Sequence, residues 1–235
     1  MRIGANAGAT GQQVGAIAIG SGAGEFGQGV TGAIAIGSGA GKTGQGASAV
    51  AIGFNAGQTG QGASSVAIGS GAGSLNQGGS TGAVAIGFKA GEINQGASSV
   101  AIGNAGQITQ GASSVAIGLN AGQTGQGASS VAIGSSAGQT GQGVSSVAIG
   151  SSAGSISQGS TGAVAIGLNA GQFNQSNSAI AIGFNAGNTG QGLTGSIAIG
   201  LNAGQITQGA SSVAIGNNAG QTGQGASSVA IGSSA

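Results

Sequence analysis

The chain has 235 residues, 58 of them Gly, and no Cys, His, Pro, Trp, Tyr or Asp. Its only charged side chains are Arg2, Glu25, Lys42, Lys89 and Glu92, or 2% of the sequence against roughly 25% in an ordinary soluble domain. This excludes thiol chemistry, disulfides, zinc sites, carboxylate cages for calcium or magnesium, and a basic stripe for nucleic acid.

Met1-Arg2-Ile3-Gly4 opens the chain without an apolar h-region, so no signal peptide is visible. No stretch of ~18 apolar residues follows, so no membrane insertion is expected. The triplet Ala-Ile-Gly then recurs, its Gly falling at 20, 37, 53, 69, 87, 103, 118, 134, 150, 167, 183, 200, 216 and 232. Arg2-Ile3-Gly4 is a first, altered copy, and the commonest spacing is 16. No linker interrupts the array, so residues 1–235 read as one continuous domain with no visible caps.

Each unit splits in two. A Gln follows the Ile-Gly glycine by eight residues in nearly every unit, and the next such glycine follows about eight later. An eight-residue half matches one short strand and one turn. Extra residues fall only in the Gln-to-Gly half, always with Thr-Gly: Thr31-Gly32, Thr81-Gly82, Thr161-Gly162 and Thr194-Gly195. In Ser130-Val131-Ala132-Ile133-Gly134 large apolar residues alternate with small ones, which is strand period two. The expectation is that Val66, Ile68, Val131, Ile133, Val147 and Ile149 point inward as a core ladder. Ser130 and Ala132 would then point outward. A weaker second strand carries Phe26, Leu75, Ile108 and Thr124 in one column. Gly and Asn at the corners suit left-handed backbone angles.

Stacked coils of this kind predict an all-β, parallel β-solenoid of about fifteen coils, ~16 residues each, with neighbouring coils ~4.8 Å apart. Stacking makes Glu25 and Lys42 neighbours in one column, and sets Lys89 against Glu92 across a corner. Gln61, Gln77, Gln95, Gln110, Gln126 and Gln142 form a further column, expected to be a structural amide ladder rather than a recognition row. Phe54, Phe88, Leu119, Leu168, Phe184 and Leu201 replace Ser at the first corner. They read either as a plug at the core edge or as a lateral contact ridge. Gly-x-Gly-x-x-Gly strings lack the strand-then-helix context of a phosphate site. Asn174-Gln175-Ser176 reads as a chance match to a glycosylation sequon.

Ser65-Val66-Ala67-Ile68-Gly69 with Ala72, and Ser146-Val147-Ala148-Ile149-Gly150 with Ala153, closely resemble the head repeats of trimeric autotransporter adhesins. Similar repeats occur in phage and large-virus fibre-like proteins. The resemblance covers the whole chain. It implies a left-handed parallel β-roll, assembly with copies of itself as a trimer, and display on a cell or virion surface. The unit here is slightly longer than the common adhesin unit and adds the Gln column. The expected function is a non-enzymatic structural element of an extracellular or surface fibre that self-associates, with no cofactor. An adhesin head binding a host or matrix ligand is the alternative. An ice-binding solenoid fits less well, because Ile, Leu and Phe interrupt the Thr column.

Overall fold

The computed structural model describes residues 1–28, 31–77, 81–159, 161–191 and 194–235. The chain is an all-β parallel β-solenoid. Each Ala-Ile copy forms a short strand lying in register on its counterpart one turn away: Val131 pairs with Val147, Ala132 with Ala148 and Ile133 with Ile149. One turn is therefore sixteen residues here, and like residues stack in columns. The chain divides into two compact units, Met1–Ile117 and Gly118–Ala235. The first holds eight such strands, from Arg2–Ile3 to Val115–Ile117, and the second holds seven, from Val131–Ile133 to Val229–Ile231. The Gln-side half of each coil pairs in parallel as well. Ile93 stacks on Ile108 and Gln95 on Gln110 in the first unit, and Ile206 stacks on Thr222 and Gln208 on Gln224 in the second. Among the described residues no helix is long and apolar enough to cross a membrane.

The corners explain the glycine content. In the coil from Gly118 to Ile133, five residues have positive φ: Gly118 (129°), Asn120 (56°), Gly122 (52°), Gly125 (69°) and Ser129 (55°). Left-handed backbone costs an ordinary L-residue about 1–2 kcal/mol, and Gly, with short polar residues such as Asn, takes it most cheaply. The position after the second-strand Thr or Ile is one of these five. That accounts for Gly125 there, and for Asn94 and Ser157 in other coils. The insertions border residues 29–30, 78–80, 160 and 192–193, which lie outside the described residues.

Two glycine columns are fixed by space as well as by φ. A Cβ on Gly134 would lie 2.7 Å from the Gly150 carbonyl oxygen, one coil away. A Cβ on Gly138 would lie 2.7 Å from Gln142 Oε1 and 3.3 Å from the Ala132 Cβ. By contrast, a Cβ on Gly141 meets nothing nearer than 3.9 Å. Gly134→Ala is therefore expected to cost more than ~3 kcal/mol, because backbone strain adds to a clash with rigid main chain. Gly141→Ala should cost only about 1–2 kcal/mol, the conformational term alone. Urea unfolding of the two variants checks the ranking, and equal costs would refute the space argument.

The inward and outward faces of the Ala-Ile strand are opposite to the sequence expectation. Ala132, Ala148, Ser130 and Ser146 are fully buried. Val66, Val131, Ile133 and Val147 are half-exposed, and Ile68 and Ile149 are each 36% exposed. Among the described residues every buried apolar side chain is an Ala. The cause is the width of the coil. Five left-handed residues per turn fold the two halves so close that the Gly138 backbone sits against the Ala132 methyl. A Val or Ile in that column has no room, so the strand turns its small residues inward. Some buried Ser hydroxyls are paired locally, as where Ser130 Oγ donates to Gly127 O at 2.6 Å, and those of Ser65 and Ser146 accept from Ala83 N and Ala163 N one coil away.

Candidate assembly faces and the buried amide ladder

The Val-x-Ile face lies on the outside of the strand. Its two columns run unbroken through the strands from Ile17–Ile19 to Val115–Ile117 in the first unit and from Val131–Ile133 to Val229–Ile231 in the second. Val and Ile two residues apart point the same way from a strand, so each unit presents parallel rows of β-branched side chains at coil spacing. Contiguous apolar patches larger than a few hundred Å² are uncommon on soluble monomers and mark interaction surfaces.

The corner column is also on the outside. Phe54 is 59% exposed, Phe88 60% and Leu119 59%, while Leu168, Phe184 and Leu201 are each 45% exposed. They are not plugs at the edge of the core. The core edge has no vacancy for them, since the next inward position along the chain is already the buried Ala column of Ala121, Ala137 and Ala153.

The Gln column is the chief polar element of the interior. Gln61, Gln77, Gln95, Gln110, Gln126 and Gln142 are all buried, as are Gln158, Gln175, Gln191 and Gln208. Gln142 Nε2 donates to Val131 O at 2.7 Å and to Ser146 O at 3.3 Å. Gln61 bonds Val50 O at 2.7 Å and Ser65 O at 3.1 Å, and Gln110 bonds Val100 O at 2.7 Å. Each amide is thus a strut from the Gln-side half to carbonyls on the Ala-Ile side. Bonds from one Gln to the next occur at only some steps, such as Gln77 Nε2 to Gln95 Oε1 at 2.8 Å. The column is tied mainly to backbone, and only secondarily to itself.

A second amide column escaped the sequence reading. Gln139 Nε2 donates to Gln123 Oε1 at 3.0 Å, Asn188 Nδ2 to Gln172 Oε1 at 3.1 Å, and Gln221 Nε2 to Gln205 Oε1 at 3.0 Å. Glu25 and Lys42 occupy the same column, paired at 3.5 Å, so an ion pair stands where other coils stack amides. Lys89 pairs with Glu92 at 3.2 Å, as its spacing predicts. In both pairs the Lys reaches solvent, and each pair contributes on the order of 0.2–1 kcal/mol. An Asn row along the first corner of the second unit repeats the pattern: Asn169 donates to Asn185, Asn185 to Asn202 and Asn202 to Asn218, at 3.2, 3.3 and 3.0 Å.

These features define a class: a β-solenoid repeat protein with an Ala/Ser/Gln interior and an apolar exterior. No family model, curated protein or solved structure matches the chain.

Proposed function

We propose that this chain is a non-enzymatic structural element that assembles with copies of itself through the Val-x-Ile face, as part of an extracellular or surface fibre. One observation carries the reading: the strand buries Ala and turns Val and Ile to solvent. Leaving two columns of β-branched side chains in water forgoes the largest favourable term available to the chain, about 25 cal/mol per Å² of apolar surface. A second copy is the partner that fits best, because it offers the same columns at the same coil spacing. The resemblance of the Ser-Val-Ala-Ile-Gly units to surface-adhesin heads favours the surface location and a trimeric arrangement. The mass of the purified chain, followed by light scattering through a dilution series, tests the proposal. A multi-chain mass that falls only at high dilution is expected. A single-chain mass at every concentration would remove self-association as the function.

A further inference from the structure

We infer that the first corner of the second unit, where Leu168, Phe184 and Leu201 stand beside Asn169, Asn185 and Asn202, binds a neutral, extended, β-linked polysaccharide lying along the stack. The site uses no residue of the Val-x-Ile face and stands whether or not copies of the chain associate.

The first corner comes in two forms. Ser at its first position is followed by Gly or Ser, as in Ser38-Gly39, Ser135-Ser136 and Ser151-Ser152. Phe or Leu is followed by Asn, as in Phe54-Asn55, Leu119-Asn120, Leu168-Asn169, Phe184-Asn185 and Leu201-Asn202, and only Phe88-Lys89 departs from this. The backbone does not require the pairing. Ser136 and Ser152 hold φ at 55°, against 56° at Asn169 and 52° at Asn185, so Ser makes the same turn. The core does not require it either, since Leu168, Phe184 and Leu201 point to solvent. A coil that gains an apolar surface here gains an amide beside it for a reason that lies outside the fold.

In the second unit this form fills three successive coils. Asn169 Nδ2 donates to Asn185 Oδ1 at 3.2 Å, Asn185 Nδ2 to Asn202 Oδ1 at 3.3 Å, and Asn202 Nδ2 to Asn218 Oδ1 at 3.0 Å. A primary amide has two N–H donors and two acceptor lone pairs. The row therefore consumes one of each from Asn185 and from Asn202 and fixes the plane of both amides. One N–H and one lone pair per coil remain for a ligand, on half-exposed side chains. Groups held in place beforehand lose little freedom on binding.

The chemistry selects the occupant. A donor and an acceptor repeated at each coil suit hydroxyl groups, which both donate and accept. The apolar column alongside suits a flat C–H face. The sugars of an extended β-linked chain carry both, with equatorial hydroxyls along the edges and axial C–H bonds on the faces. None of residues 93–235 is charged, so the corner offers nothing to a phosphate, sulfate or uronate polymer. Coils rise by ~4.8 Å, close to the advance of one sugar along such a chain, so three coils meet three successive sugars in step. A polypeptide laid the same way advances ~3.3 Å per residue and falls out of step within a coil.

The full chain is sedimented with amorphous cellulose, with a blank lacking polymer to subtract any self-associated chain, and with dextran beads as an α-linked control. The variant carries Leu168→Ser, Asn169→Ser, Phe184→Ser, Asn185→Ser, Leu201→Ser and Asn202→Ser. These substitutions install the corner that Ser135-Ser136 and Ser151-Ser152 already fold, and a circular dichroism melt checks that the variant folds. The native chain is expected to pellet with cellulose, to be released by soluble cellohexaose, and to ignore dextran. The variant should bind with an apparent Kd at least roughly tenfold higher. Phe184→Ser alone, the smaller change, should weaken binding in the same direction. A native chain that pellets no more than its blank would overturn the inference. Equal binding by native and variant chains, or equal binding to dextran, would overturn it as well, because neither the corner nor the extended form of the polymer would then matter.

Discussion

Ala132→Asp is expected to abolish cooperative folding, whereas Ile133→Asp should leave the coil folded and abolish association. The two positions are adjacent, but they lie on opposite sides of the strand. Ala132 is fully buried, and a Gly138 Cβ would come within 3.3 Å of its methyl. A carboxylate there meets neither space nor a counter-charge, since the nearest charged residue in sequence is Glu92. Burying an unpaired charge costs several kcal/mol even after relaxation, a large part of the 5–15 kcal/mol that holds a typical domain together. Ile133 is half-exposed in the single chain, so Asp there remains hydrated and should change its stability by less than about 1 kcal/mol. Its effect appears only when a second copy approaches, because the contact must then desolvate the charge. Circular dichroism melts at low concentration and light scattering at high concentration separate the two effects. If Ile133→Asp unfolded the single chain while Ala132→Asp did not, the faces would be reversed from those described.

The period, the two half-coils, the parallel register, the corner chemistry and both ion pairs are legible in the residues, because each rests on spacing alone. The phase of the strand is not. Period two says that Val131 and Ile133 share a side, but it does not say which side. Large apolar residues normally go inward, and a one-residue shift of phase exchanges every side chain between faces. Here corner geometry overrides hydrophobicity, since five left-handed residues per turn leave an interior only a methyl or an extended amide wide. Column uniformity does not supply the phase either: the column of Ala132 holds Ala in every copy after the first, but the column of Ile133 holds Ile in every copy and lies on the outer face. The outer amide column was missed because Gln, Asn, Ser, Glu and Lys alternate in it, and only stacking shows that they serve one role.

The buried amide strut predicts a pH dependence that the native chain should lack. Gln142→Glu keeps the size of the side chain but replaces the donating amide with a carboxyl group. In the native chain Gln142 Nε2 points at two carbonyl oxygens, Val131 O at 2.7 Å and Ser146 O at 3.3 Å. A protonated carboxyl can donate to one of them. An ionised carboxylate can donate to neither, and it would sit buried against their negative ends. Desolvation and this repulsion both raise the folded-state pKa of the introduced Glu above its unfolded value of about 4.3. Above pH ~4.3 the folded state of the variant then binds more protons than the unfolded state, so its stability falls as pH rises. The loss is about 1.4 kcal/mol per pH unit until the folded pKa is reached, or roughly 4 kcal/mol by pH 7 if that pKa lies above 7. Below pH ~4 the variant should be within about 1–2 kcal/mol of the native chain, the difference being one lost hydrogen bond. Subtracting the native chain's urea-unfolding free energy from the variant's at each pH isolates the introduced group. A difference that stays flat from pH 4 to 7 would mean that the side chain reaches solvent. The Gln column would then be a surface row, not the strut that holds the two halves of the coil together.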